Sequence, residues 1–385
     1  MRIIIPTPIM PPQIGGPATY VSHLARYLSQ KHEVSILTFT QRPEPIRGVR
    51  ITVIPLYQHP LGMILRQVTL AIQLVRLSKT ADVIYAQGPI VVGLTSVIIG
   101  KILKKPVVIK FVGDIAWEEA ERRGVTDQDL QGFLENRHHP FAIRLLQWLQ
   151  TQSLKRSKYI IVPSHYLKQV LLDGYAISLQ KVSLVHNAVT IPKNLERKAK
   201  GELTIVSSGR LVAHKRFDMV IAAFFKLKRL GLVKDHLKLM IIGDGPQKQI
   251  LERQIKRLKL EDTVQITGAL NRASYLRALS SASLFVLASS YEGLPHAIIE
   301  AMLLGIPVVA TDIPGNREVI TDRRTGLLAQ ADTASLARAM HEALTDRTLA
   351  GNLTRYAKKQ ARGRYNWKTH RERLIHLLRQ ELTAA

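Results

Sequence analysis

A chain of 385 residues exceeds one ordinary core and suits two domains of roughly 150–200 residues each. It has no cysteine, which excludes disulfides, thiolate metal sites and a Cys nucleophile, and its 46% hydrophobic content excludes a disordered polymer. The 55 Lys and Arg against 29 Asp and Glu leave a formal charge of +26, which draws a chain to polyanions such as nucleic acid, an anionic membrane face or phosphorylated substrates, unless the background composition is simply basic.

The opening MRIIIPTPIMPPQIGGP is a short apolar run broken by prolines, unlike a secretory leader. Residues 2–6 read as a buried strand, followed by the loop PTPIMPPQIGGPA. Residues 19–30 then show helical spacing through Tyr20, Leu24, Tyr27 and Leu28. EVSILTF from Glu33 and VRITVIPL from Val49 are the next strands, and residues 61–77 a helix. ADVIYAQ from Ala81, PVVIKFVG from Pro106 and KYIIVPS from Lys158 are further strands with helices between most of them. The most apolar stretch, residues 89–100, falls short of the roughly 20 residues a membrane span needs.

A polar, basic break follows His186 in HNAVTIPKNLERKAKGE, with Pro192 and Gly201 inside it. The pattern then restarts, with strands at residues 203–207, 237–242, 264–267, 284–288 and 306–310 separated by helices. A last helix spans residues 367–382; the sequence does not say which domain it joins. The reading is an α/β fold of two Rossmann-like βαβ domains: residues 1–190, a linker at 191–201, and residues 202–364. The helix at about 365–385 is a candidate to return to the first domain. Open α/β sheets bind ligands at the C-terminal ends of their strands, which points to the loops after Ile5, Phe111, Ser207, Ile242 and Ala288.

The strongest motif is SSGRLVAHKRFD at 207–218. Gly209 lets backbone approach a ligand closely. Arg210 offers a planar fork for phosphate oxygens, Lys215 a compact charge, and helix N-terminal amides would add to the same anion site. The plain alternative is a solvated basic loop. The second motif is SSYEGLPHAIIEAMLLGIPVVA at 289–310. Glu292 lies in the loop after a strand, and Glu300 inside an otherwise apolar helix, where a carboxylate is costly without a partner. Sugar or ribose hydroxyls would serve as partners; a seam position for Glu300 and a favourable helix-dipole position for Glu292 are the alternatives. The Gly15-Gly16 pair permits close backbone approach or a simple turn, and is neither a P-loop nor G-x-G-x-x-G.

Glu292 and Glu300 with seven residues between them, the GR-x4-K loop, GDGP at 243–246 and AMLLGIPVVATDIPG at 301–315, in this order, resemble retaining glycosyltransferases of family 4, which have the GT-B fold. The resemblance spans the C-terminal domain. It extends more weakly to the N-terminal one through Gly15-Gly16, Pro163-Ser164 and His186-Asn187. It implies two Rossmann-like domains with an interdomain cleft and transfer of a hexose from a nucleotide-diphosphate sugar with retention at the anomeric carbon, without a cofactor or bound metal. It further implies that Arg210 and Lys215 hold the donor diphosphate, Glu292 the hexose and Glu300 the ribose. Gly209, Gly293, Leu294, Gly15 and Gly16 line the donor. Many members carry a His in the loop at 111–114; here it reads Phe-Val-Gly-Asp, and Asp114 is the polar candidate to replace it, or else a helix N-cap. Two cations beside a departing diphosphate supply what a metal otherwise would. The Asp127-Gln128-Asp129 run follows no strand and reads as the start of a helix behind an N-capping Thr126, not as a metal site. His138 and His139 have no third ligand at metal spacing.

In LGMILRQVTLAIQLVRL at 61–77, Arg66, Thr69, Gln73 and Arg76 share one stripe and the rest is apolar. The plainer expectation is a largely buried helix; the alternative is an interfacial helix in lipid, supported by Lys101, Lys104, Lys105, Lys155, Arg156 and Lys158. The expected partners are therefore a nucleotide-sugar donor, a glycan or lipid-linked acceptor and an anionic membrane surface. The expected location is the cytoplasm, peripheral to the inner membrane face. A nucleotide-sugar epimerase on the same fold is the rival. Nucleic-acid binding has only the net charge behind it.

Overall fold

The structure is a computed structural model that describes residues 1–13, 16–59, 61–136, 138–192, 195, 203–231 and 236–383. The chain divides into two compact units, one of residues 1–187 with 368–385 and one of residues 188–367. Of the predicted linker, residues 193–194 and 196–201 lie outside the described residues.

The first unit runs β1 (Arg2–Thr7), α1 (Gly16–Leu28), β2 (Glu33–Thr38), β3 (Val49–Val53), α2 (Gly62–Ser78), β4 (Val83–Ala86), a π turn (Pro89–Gly93), α3 (Leu94–Ile102), β5 (Val107–Lys110), α4 (Ile115–Arg122), α5 (Leu130–Glu135), α6 (Phe141–Arg156), β6 (Tyr159–Val162), α7 (His165–Tyr175) and β7 (Val182–Leu184). Its seven strands are all parallel, in the order β3-β2-β1-β4-β5-β6-β7. The inner strands VIYA and VVIK are buried throughout, as a parallel sheet covered on both faces requires.

The second unit runs β8 (Thr204–Ser208), α8 (Phe217–Arg229), β9 (Lys238–Ile242), α9 (Lys248–Arg257), β10 (Val264–Ile266), α10 (Arg272–Ser280), β11 (Leu284–Leu287), α11 (His296–Leu304), β12 (Val308–Thr311), α12 (Pro314–Arg317), β13 (Leu327–Ala329), α13 (Thr333–Thr345) and α14 (Arg347–Arg364). Its six parallel strands are ordered β10-β9-β8-β11-β12-β13. Side chains alternate across this sheet. Ile205, Val286 and Val309 join a core with α8, α9 and α13, while Val206, Phe285, Val308 and Ala310 join another with α11 and α14.

The last helix, α15 (Trp367–Thr383), belongs to the first unit from Lys368 onward. His370 Nδ1 donates to the carbonyl of His186 at 2.7 Å, and its Nε2 then accepts from the Tyr20 hydroxyl at 3.0 Å. Arg371 lies over the Tyr27 ring, 3.6 Å from its centre.

Two strands escape the sequence pattern. β7 and β13 are three residues each and sit at sheet edges, too short for a period to register. The plainer expectation for residues 61–77 is corrected: the helix forms, but among its apolar residues only Leu70 and Leu74 are buried side chains, and Met63, Ile64, Leu65, Val68 and Ile72 are exposed.

Candidate functional site

The second unit's strand order contains a topological switch point. From β8 the chain steps to β9 and β10 on one side, then returns to place β11 on the other side of β8. The loops leaving the C-terminal ends of β8 and β11 therefore part in opposite directions, and the crevice between them is where such sheets bind ligands.

The first loop carries Gly209 and Arg210, then a 3-10 turn over Ala213–Lys215. Gly209 N donates to Ile242 O at 3.0 Å and Leu211 N to Asp244 O at 2.9 Å, so this loop runs beside GDGP past the end of the strands. The approach demands glycine: a Cβ on Gly243, whose φ is +156°, would lie 1.9 Å from the Gly209 carbonyl oxygen. Ser290 N donates to His214 O at 2.8 Å and ties the β8 loop to the β11 loop.

That tie sets the central contact. Lys215 Nζ donates to Glu292 Oε1 at 2.6 Å, and Ser289 Oγ donates to the same oxygen at 2.7 Å. No partner for Glu292 Oε2 occurs among the described residues, and the side chain is 10% exposed. The backbone beneath Glu292 is held from the β12 side. A Cβ on Gly315 would stand 1.9 Å from the Glu292 carbonyl oxygen. Thr311 Oγ1 donates to Ser289 O, and Asn316 Nδ2 to Thr311 O at 2.9 Å. Arg210 is exposed and forms no ion pair among the described residues. It stands on the same loop as Lys215, whose ammonium is paired.

Glu300 is buried in α11 among Ile298, Ile299, Ala301 and Met302. Its partners come from α10: Arg272 binds one oxygen and Tyr275 OH donates to the other at 2.7 Å. Tyr275 OH is also 3.3 Å from Ser208 Oγ at the end of β8, so Glu300 is joined through one tyrosine to the loop that carries Arg210. Burial, and after it the negative charge of Glu300, hold the Tyr275 hydroxyl well above the usual tyrosine pKa, so it remains a donor. Arg272 and Tyr275 carried no motif, and Ser208 and Ser289 stood inside the two motifs with no role assigned. The one available signal is the three-residue spacing of Arg272 and Tyr275, which places both on one side of a helix.

Gly209, Arg210, Lys215, Glu292 and Glu300 thus gather at one end of the second unit's sheet. Gly293 is buried beside Glu292. Leu294 packs its side chain into the core with Ile298 and Met302, so what it offers a donor is its backbone. Gly16 opens α1 and is exposed, and Gly15 lies outside the described residues.

Asp114 takes the second of its two expected roles, a helix N-cap. It is fully buried and caps α4: Oδ1 accepts from Trp117 N at 2.9 Å, and Oδ2 accepts from Gln150 Nε2 at 3.0 Å and from Tyr175 OH. Burial raises its pKa while these three donors pull the other way. Both oxygens are thus engaged inside the first unit. In the DQD run the capping residue is Asp129, which accepts from Gly132 N at 2.8 Å, and not Thr126. His139 stacks on Phe133 with ring centres 4.2 Å apart.

The second unit is thus a doubly wound sheet whose switch point holds an exposed arginine and a lysine–glutamate pair. Residues 14–191 match the family model described as Glycosyltransferase Family 4, and residues 191–360 that of Glycosyl transferases group 1. With both matched, the chain belongs to the family 4, group 1 glycosyltransferases, and its fold is GT-B. One similar protein is the N-acetylgalactosamine-N,N'-diacetylbacillosaminyl-diphospho-undecaprenol 4-alpha-N-acetylgalactosaminyltransferase of Campylobacter jejuni, 31% identical over 54% of this chain and 56% of that protein. Another is the alpha-monoglucosyldiacylglycerol synthase of Streptococcus pneumoniae, 26% identical over 89% of this chain and 78% of that one. The match thus spans little more than half of the first relative's length. Among solved structures, Anabaena Alr3699/HepE in complex with UDP and glucose superposes with a TM-score of 0.76 at 18% identity, over 98% of this chain and 99% of that one.

Proposed function

We propose that the protein transfers a hexose from a nucleoside-diphosphate sugar to a hydroxyl of a lipid-borne glycan or glycolipid, with retention at the anomeric carbon. The observation that carries this reading is the Lys215–Glu292 contact at the switch point, with exposed Arg210 on the same loop as Lys215. A diphosphate needs cations and a hexose needs acceptors, and the two loops bring one of each within 2.6 Å. Arg210 and Lys215 take the diphosphate, Glu292 Oε2 a hexose hydroxyl, Glu300 the ribose, and the backbone of Gly209, Gly293 and Leu294 lines the donor.

As the bond from the anomeric carbon to the phosphate oxygen breaks, negative charge grows on the leaving diphosphate. The two cations stabilise it without a resident metal. The phosphate oxygen takes the acceptor's proton, and the acceptor oxygen joins the anomeric carbon on the face the leaving group vacates. No carboxylate nucleophile enters this scheme. Alr3699/HepE was solved with UDP and glucose, which supports a nucleotide-sugar donor, and the two relatives are named for a diphospho-undecaprenol glycan and a glucosyldiacylglycerol, which supports a lipid-borne acceptor. Such an acceptor puts the enzyme at the inner membrane face.

Proton NMR of the product made from an α-linked donor tests the reading. It predicts an α linkage. A β linkage overturns retention, and an epimerised nucleotide sugar formed without acceptor overturns the transferase itself.

A further inference from the structure

The helices α2, α3 and α6 of the first unit leave an apolar surface that the donor site does not use. The connections from β3 to β4, β4 to β5 and β5 to β6 all step the same way across the sheet, so right-handed crossovers put all three helices on one face. α3 packs against both α2 and α6.

α2 is apolar on two opposite sides. At about 100° per residue, Leu70 and Leu74 point one way and are buried, whereas Ile64, Leu65, Val68 and Ile72 point the other way. Ile64 is 60% exposed and Val68 49%. Between α2 and α3 runs an open groove of ≈ 410 Å³, walled by Met63, Ile64, Val68, Ile98 and Ile99. α3 adds exposed Ile102, and α6 repeats the pattern with Phe141, Leu145 and Trp148 at i, i+4 and i+7. Soluble monomers rarely expose a contiguous apolar patch beyond a few hundred Å².

Charge decides what covers this face. The three helices contain no Asp or Glu, yet they carry Arg76, Lys101, Arg144, Lys155 and Arg156, while Arg66 turns inward over the Phe39 ring. A protein partner would typically meet such a surface with mixed charge at its rim; an anionic bilayer meets it with phosphate at the rim and acyl chains at the centre.

We propose that the α2–α3–α6 face is a docking surface for an anionic lipid bilayer, with acyl chains entering the groove between α2 and α3 and the basic side chains meeting the headgroups. It deepens the lipid-borne acceptor of the reading above. Its test uses neither donor nor acceptor, so the two fail separately.

The experiment is co-sedimentation of the full chain with vesicles of phosphatidylcholine alone or mixed with phosphatidylglycerol, at low and high salt. Binding is expected only to the anionic vesicles, weakened by salt, with a blue shift of tryptophan emission that Trp148→Phe abolishes while binding persists. Ile64→Glu/Val68→Glu/Ile98→Glu changes exposed positions; it is expected to keep the melting temperature and lose more than about tenfold in vesicle affinity. If that variant melts early, Phe141→Ser/Leu145→Ser on α6 is read in its place with the same expected loss. The proposal is overturned if anionic and neutral vesicles bind alike, if the folded variants bind as the parent does, or if the parent is a dimer in solution that the triple substitution dissociates.

Discussion

Lys215 and Glu292 are 77 positions apart in sequence and form an ion pair at 2.6 Å, because both stand on loops from the two strands flanking a switch point. Asp114 shows how a residue of the right type in the right loop takes a different role. Its partners Gln150 and Tyr175 come from α6 and α7, whose packing no local pattern in residues 107–120 reports. Asp114→Asn keeps the helix cap but replaces an acceptor by a donor facing Gln150 and Tyr175. It is expected to cost about 1–3 kcal/mol of stability, measured by denaturant unfolding, and to leave kcat of the folded enzyme unchanged. A catalytic role for this carboxyl would instead show as lost kcat at unchanged stability.

At the scale of elements, the motif AMLLGIPVVATDIPG is explained by one close approach. α12 begins with Pro314 and Gly315 directly against the Glu292 carbonyl. Gly315→Ala forces that backbone away, and a misplacement of about 1 Å at a reacting centre costs on the order of 100-fold. The expected outcome is a kcat lowered by that order with the fold kept by circular dichroism; unchanged kcat would show that the α12 contact does not position Glu292. The strands and helices that surround the site were legible because parallel-sheet strands are dense apolar runs and their helices are amphipathic. Lys215 and Glu292 were legible because each sits at a loop that follows such a run. Arg272 and Tyr275 were not: they serve Glu300 from a neighbouring helix, and their task exists only once α10 and α11 lie side by side. The exposed side of α2 was half legible, since its apolarity is plain in residues 61–77 but the side that the sheet covers is not.

Across the whole molecule, the chain leaves the first unit at Asn187 and returns to it at Lys368, and the return is fixed by buried polar groups. Lys110 is buried at the end of β5 with its Nζ 2.5 Å from Asn187 Oδ1 and over the Tyr20 ring, and burial holds its pKa well below the usual lysine value. His370 closes the same cluster. Burial first, then the positive charge of Lys110, lowers its pKa from 6.5 to about 3. Below pH 6.5 the unfolded chain takes up a proton that the folded His370 refuses until about pH 3, so the fold loses stability as pH falls through that window. The slope from this one group approaches about 1.4 kcal/mol per pH unit. Thermal melts of the parent and His370→Gln between pH 7 and pH 4 check it: the variant is expected to show the flatter dependence, and parallel curves would contradict a neutral buried histidine.

In the proposed function, Lys215 and Arg210 grip a diphosphate at the switch point of the second unit. The most direct test is the melting temperature with UDP-, GDP- and ADP-sugars, for the parent and for Lys215→Ala. A ligand at 100 times its Kd adds about 2.7 kcal/mol of stability. One nucleotide class should raise the parent's melting temperature, and Lys215→Ala should remove most of that rise. A variant that keeps the full rise would place the diphosphate elsewhere and contradict the site described here.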